Sequence, residues 1–220
     1  MPIWRLIGQT IIEALFPLDE MERRLSTLPP EALLLTWPKA PDYSGLAVPL
    51  PEAHSILAYK NPEVSRTIWC LKYKKAAWAA TIAGLALYRN LPCTGAIVIP
   101  LPSTARRRRE RGFNQCEFML EAMKQFDRQN LFQVDNNLLK RVHHTRKQAQ
   151  KNRVERISAG RNLFAVNESA AIRLRADPNK SSLPLIVIDD VITTGVTMRG
   201  ALDALQAAGF QNVRALSLAH

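Results

Sequence analysis

Apolar residues recur along this chain at two spacings, one helical and one extended. Met198, Ala201, Leu202, Leu205 and Ala208 fall at helical intervals, and Gly209 follows as a stop signal. Pro62 to Tyr73 and Ala76 to Tyr88 read as helices with an apolar face, and Phe113 to Phe126 reads as a third. Between these lie short β-rich runs. They are His54 to Tyr59, Ala96 to Ile99 (ended by Pro100 and Pro102), Leu163 to Val166, Leu185 to Ile188, and Val213 to Leu218. Arg173 to Pro184 is polar and reads as a loop or hairpin. Strands alternating with helices predict an α/β fold with a mostly parallel sheet flanked by helices.

Residues 1–48 have a different texture. A short amphipathic helix is expected from Pro2 to Leu15 and a charged one from Asp19 to Leu25. Pro29, Pro30, Pro38 and Pro41 then interrupt the pattern. The expected organisation is a small N-terminal helical appendage over 1–48 and one α/β domain over 49–220. A chain of 220 residues is ample for such a core.

Composition excludes several classes. The uncharged stretch from Ala76 to Tyr88 is shorter than the ~20 residues needed to span a bilayer, so no membrane association is expected. Arg5 and Glu13 interrupt the N-terminal apolar residues, which argues against a signal peptide. Cys70, Cys93 and Cys116 are odd in number and far apart, without metal-ligand spacing, so a reducing cytoplasm is expected and no protein-bound metal.

Charge is more informative. Arg106 to Arg111 carries net +4 and Lys140 to Arg161 net +7, which together make up the whole +11 of the chain. A concentrated positive field attracts pyrophosphate or nucleic acid. The aromatic residues do not interleave with these runs in sequence, so no base-stacking platform is evident from the sequence.

The chemistry concentrates in Leu185-Ile-Val-Ile-Asp189-Asp190-Val-Ile-Thr193-Thr194-Gly195-Val196-Thr197. An apolar strand ends in two carboxylates, and a Thr- and Gly-rich turn leads into the helix that starts near Met198. In open parallel sheets, ligands bind at the carboxyl ends of strands. A helix N-terminus favours phosphate. Acids beside a phosphate cradle suit a ligand that is both hydroxylated and phosphorylated, such as a ribose 5-phosphate. An acidic strand end also occurs in P-loop ATPases, but the Gly-x-x-x-x-Gly-Lys-Ser/Thr that must precede it is missing.

This stretch resembles the type I phosphoribosyltransferase signature. The resemblance implies that Asp189 and Asp190, the candidate catalytic residues, hydrogen-bond the ribose hydroxyls of phosphoribosyl pyrophosphate. It implies that Thr193, Thr194, Gly195, Val196 and Thr197 hold the 5′-phosphate. Pro100-Leu-Pro102 followed by Arg111-Gly-Phe-Asn-Gln115, with Leu71-Lys-Tyr73 upstream and Thr145, Gln148 and Arg156 downstream, is similar to the competence protein F (ComF) family of phosphoribosyltransferases. Many members of that family begin with a four-cysteine zinc ribbon after a Phe-Pro. Here Phe16-Pro17 is followed by Leu18, and residues 1–69 hold no cysteine, so the resemblance is to a form without the ribbon. Lys151 also departs from the family's usual Leu, and Ala159 from its usual Asn unless the register shifts to Asn162.

Beside the resemblance, Arg111 is an anion clamp next to a glycine that permits close backbone approach. Lys72 is open to two readings, a pyrophosphate ligand or a snorkelling surface lysine. Asn114 is read first as a helix cap, and His143 and His144 as a solvated or nucleic-acid-facing pair rather than a metal site. The resemblance implies a phosphoribosyltransferase fold. It also implies Mg²⁺ held by the substrate rather than by a protein cage, and a link to DNA uptake in natural transformation. The expected partners are phosphoribosyl pyrophosphate or a nucleotide, single-stranded DNA, and competence-machinery proteins. The alternative is a non-catalytic module that binds phosphoribosyl pyrophosphate or nucleotide and also single-stranded DNA.

Overall fold

The computed structural model describes residues 18–43, 46–142 and 163–220. Five parallel strands form the central sheet: β1 (Ala53–Leu57), β2 (Ala96–Pro100), β3 (Phe132–Val134), β6 (Leu185–Val191) and β7 (Val213–Ala219), in the order β1-β7-β6-β2-β3. Residues Leu185 to Ile188 of β6 and all five residues of β2 are buried, as their unbroken apolar runs require. The α/β class and the parallel sheet expected from the sequence are therefore present, and the architecture is phosphoribosyltransferase-like.

A second ribbon stands apart. Leu139–Arg141 (β4) pairs antiparallel with Phe164–Val166 (β5). The strand expected at Leu163 to Val166 thus exists but lies outside the main sheet. The short strands β3 and β4 carry too few apolar positions to show a period in the sequence.

The helices are α1 (Glu20–Thr27), α2 (Pro30–Thr36), α3 (Pro62–Tyr73), α4 (Ala77–Arg89), α5 (Ala105–Arg111), α6 (Gln115–Lys124), α7 (Glu168–Ala176) and α8 (Val196–Ala207). Two differences from the sequence reading have local causes. Pro30 begins α2 rather than breaking the chain, because proline at the first helical position loses no hydrogen bond. Arg173 to Ala176 is the last turn of α7, not a loop, since Ala170, Ala171 and Leu174 bury one face of it. The basic run Arg106 to Arg111 is itself helical, capped by the Thr104 hydroxyl, which accepts from the Arg107 N–H at 3.1 Å.

Residues 20–37 pack onto the same apolar cluster as the sheet through Leu25, Leu33, Leu34 and Trp37. Glu22 is fully buried beneath α3. Its carboxylate accepts from Lys74 Nζ at 2.7 Å and the Cys70 thiol at 3.0 Å, and Arg66 Nη2 lies 2.9 Å away. Burial opposes the charge, but the Cys70 and Lys74 hydrogen bonds and the Arg66 charge together hold the Glu22 carboxyl below its ordinary range. These contacts fix the C-terminal half of α3, which carries the Leu71-Lys-Tyr73 segment. Gly84 of α4 lies against the α6 backbone, where a Cβ would stand 2.6 Å from the Met123 nitrogen. The expected helix from Pro2 to Leu15 lies outside the described residues, as do His143, His144, Thr145, Gln148, Lys151, Arg156 and Ala159.

Candidate functional site

Strands β2 and β6 are adjacent, with Pro100 opposite Ile188. From β6 the chain crosses to β7 on one side, and from β2 to β3 on the other. Their carboxyl ends therefore frame the crevice at the point where strand order reverses, where open α/β sheets bind ligands. A cavity of about 430 Å³ occupies this place. It is lined by eight residues singled out from the sequence: Lys72, Arg111, Asp189, Asp190, Thr193, Thr194, Gly195 and Thr197. Val196 starts α8 but does not line the cavity.

The two acids have different surroundings. Asp190 is 4% exposed; one carboxylate oxygen accepts the Val191 N–H at 2.9 Å, and the other lies 2.7 Å from Lys72 Nζ. Asp189 accepts the Asp190 N–H at 2.8 Å, and the Cys116 thiol lies 3.6 Å from the same oxygen. Burial pushes the Asp189 carboxyl well above the ordinary carboxylate range, the neighbouring Asp190 charge adds to this, and Lys72 offsets part of it. The Cys116 thiol is pushed up by burial and by both acids.

The turn after β6 is held by the Ile192 N–H donating to Ala219 O at 3.1 Å, which leaves Thr193 and Thr194 exposed. Gly195 sits at φ +81°, and no side chain caps the first turn of α8. The amides of that turn face no protein acceptor from a capping side chain, which suits an anion. A Cβ on Gly195 would come within 2.9 Å of the Val48 carbonyl. Packing against the 46–50 segment therefore demands glycine here, in addition to its backbone conformation.

Across the cavity stand the cations. The Arg111 guanidinium lies over the Tyr73 ring, 5.0 Å from its centroid, and donates to Gln115 Oε1 at 3.1 Å. Arg107 and Arg141 also line the cavity. Burial, and Arg107 nearby, pull the Arg141 pKa down. These two residues were missed individually in the sequence, although both belong to the basic windows. The helical spacing of Arg107 and Arg111 was the available signal. Asn114 behaves as a cap: its Oδ1 accepts from the Cys116 N–H and its Nδ2 donates to Leu101 O, both at 3.2 Å. Exposed Trp69 and Tyr73 lie on one face of α3 with ring centroids 5.5 Å apart. Tertiary packing thus places aromatic rings beside Arg111, which the linear sequence does not show.

Among the described residues, no three His, Cys, Asp or Glu side chains converge as a metal site. The hard oxygen donors in the cavity are two adjacent carboxylates and threonine hydroxyls. That set fits a Mg²⁺ bound through one or two carboxylates with ligand phosphates supplying the rest. No helix among the described residues is long and apolar enough to cross a membrane.

The fold, a five-stranded parallel sheet flanked by helices, is that of a phosphoribosyltransferase-like α/β protein. The chain is similar to the competence protein ComFC of Bacillus subtilis, at 27% identity over 113 residues. It is also similar to competence protein F of Haemophilus influenzae, at 30% identity over 123 residues. These matches cover 51% and 56% of this chain, and 39% and 49% of the relatives' own lengths. The ComF resemblance carried by the sequence motifs thus agrees with two curated relatives. No protein-family model matches the chain.

Proposed function

We propose that this cavity binds phosphoribosyl pyrophosphate and that the protein serves a ComF-like, competence-related role in handling DNA in the cytoplasm. The observation that carries the reading is the opposition, across one cavity, of a strand-end acid pair beside an uncapped helix start and a set of arginines. Asp189 and Asp190 orient the ribose hydroxyls. Thr193, Thr194, Gly195 and Thr197, with the first amides of α8, receive the 5′-phosphate. Arg107, Arg111 and Arg141 receive the diphosphate, and their fixed charges favour its departure as positive charge develops on the sugar. A Mg²⁺ held by the ligand's own oxygens and water would neutralise the leaving diphosphate.

Calorimetric titration with phosphoribosyl pyrophosphate tests this. Asp189→Asn with Asp190→Asn should weaken binding by roughly 1.5–3 kcal/mol per acid, the range for hydrogen bonds to charged groups. Unchanged affinity in the folded double variant refutes the assignment. Pyrophosphate release across a panel of bases separates a transferase from a binding module.

Single-stranded DNA is the second partner proposed. The feature favouring it is the α5 face that carries Arg107 and Arg111 one helical turn apart, next to exposed Trp69 and Tyr73. Phosphates and stacked bases are what such a surface accepts.

A further inference from the structure

Lys72 differs from every other cation of the cavity. Its Nζ lies 2.7 Å from Asp190 Oδ2, on a carboxylate whose side chain is only 5% exposed. Arg111 reaches a neutral amide and an aromatic ring, and Arg141 Nη1 lies 3.5 Å from the Pro102 carbonyl. Among the described residues, neither arginine has a carboxylate within ion-pair distance. Lys72 is delivered by a helix whose end is fixed from behind, since Cys70 and Lys74 both bind the buried Glu22. If its ammonium left to meet an anionic ligand, the buried pair would be broken and the Asp190 side chain left without its partner, and breaking a buried pair is strongly unfavourable.

We propose that Lys72 is a positioning residue, the resident ion-pair partner that holds Asp190 aimed at the sugar, and not a diphosphate ligand. The inference rests on the ribose-phosphate reading of the cavity and revises the role open to Lys72 within it. It divides the acid pair: Asp190 is the member paired with a cation, and Asp189, which meets the Cys116 thiol and no cation within ion-pair distance among the described residues, is the one left to the ligand. The diphosphate falls to Arg107, Arg111 and Arg141.

Two probes separate the roles. Ribose 5-phosphate carries the hydroxyls and the 5′-phosphate without a diphosphate, and inorganic pyrophosphate carries the reverse. Calorimetric titration of Lys72→Met should show ribose 5-phosphate affinity lower by roughly tenfold or more, with pyrophosphate affinity within about threefold of wild type. In an Asp190→Asn background, the same lysine change should cost under about threefold, because the partner through which it acts is gone. Lys72→Arg should restore most of the ribose 5-phosphate affinity. The double variant removes both charges together, so the comparison survives if Lys72→Met alone folds poorly. Loss of pyrophosphate binding with ribose 5-phosphate binding intact would overturn the proposal while leaving the cavity reading in place. An equal ribose 5-phosphate loss in both backgrounds would also overturn it. Wild-type protein that binds neither probe would overturn the cavity reading itself.

Discussion

The Cys116 thiol meets Asp189 inside the sheet-end cavity, Sγ to Oδ1 at 3.6 Å. The two groups come from α6 and β6, and the Asp189 carboxylate adds to the burial that raises the cost of ionising the thiol. A thiol held neutral in this way is a poor nucleophile, since the thiolate is the reactive form. Cys116 is 1% exposed and Cys70 0%, whereas Cys93 is partly exposed. Burial and the Glu22 carboxylate push the Cys70 thiol up to about 12.

Iodoacetamide applied to the native protein at neutral pH should therefore label Cys93 and leave Cys70 and Cys116 unmodified. Peptide mapping by mass spectrometry reads this directly. Labelling of Cys116 at the rate of Cys93 would contradict the geometry.

The raised Asp189 carboxyl makes a prediction about stability. The folded state holds this proton more tightly than the unfolded chain does. Stability is then fully present below the ordinary carboxylate pKa of about 3.9 and is lost as pH rises through the folded value. Asp189→Asn removes that penalty. The variant should melt at a higher temperature than wild type at pH 8, and the gain should shrink as pH falls towards about 4. Thermal melts across this range would count against the assignment if the difference stayed constant. A gain at neutral pH would mark Asp189 as a residue kept for function at a cost in stability.

Gly195 and Gly112 make a matched pair. Both have left-handed backbone, at φ +81° and +76°, but a Cβ at Gly112 meets nothing within 4 Å, while one at Gly195 meets the Val48 carbonyl at 2.9 Å. Gly112→Ala should cost roughly 1–2 kcal/mol from backbone conformation alone. Gly195→Ala should cost more and should also weaken ribose 5-phosphate binding, because the turn and the 46–50 segment must shift apart. Chemical denaturation with a calorimetric titration tests both halves. Equal costs at the two sites would show that the 46–50 segment yields freely.

The arginine face of α5 makes a prediction about salt. Single-stranded DNA affinity should fall with salt at a log–log slope of about −0.7 per phosphate neutralised. Arg107→Gln with Arg111→Gln should flatten the slope by about 1.4, the equivalent of two contacts. The same changes at Arg173 and Arg214, exposed residues that do not line the site cavity, should leave it unaltered. Fluorescence anisotropy at several salt concentrations reads the slope. Phosphoribosyl pyrophosphate should compete with the oligonucleotide, because Arg107 and Arg111 also line the cavity.

The amino-acid sequence by itself determined the local features of this protein. The unbroken apolar runs of β2 and β6 specify buried parallel strands. The spacing of Met198, Ala201, Leu202 and Leu205 specifies α8, and the acids and threonines between strand and helix mark the ligand-binding turn. Each of these signals lies within a dozen residues, the range over which periodicity and turn chemistry act. The tertiary structure alone decided which distant groups meet. The Lys72 ammonium reaches Asp190, Arg111 stacks on Tyr73, Cys116 faces Asp189, and Val48 closes on Gly195. No local pattern encodes those pairs, because they arise from the order of strands in the sheet and the docking of α3 and α6 beside it. The same holds for Glu22, which reads as an ordinary surface acid in a charged helix until burial under α3 gives it Cys70, Lys74 and Arg66 as partners. Charge state and role follow from such neighbours, since desolvation and counter-charges depend on packing and not on position along the chain.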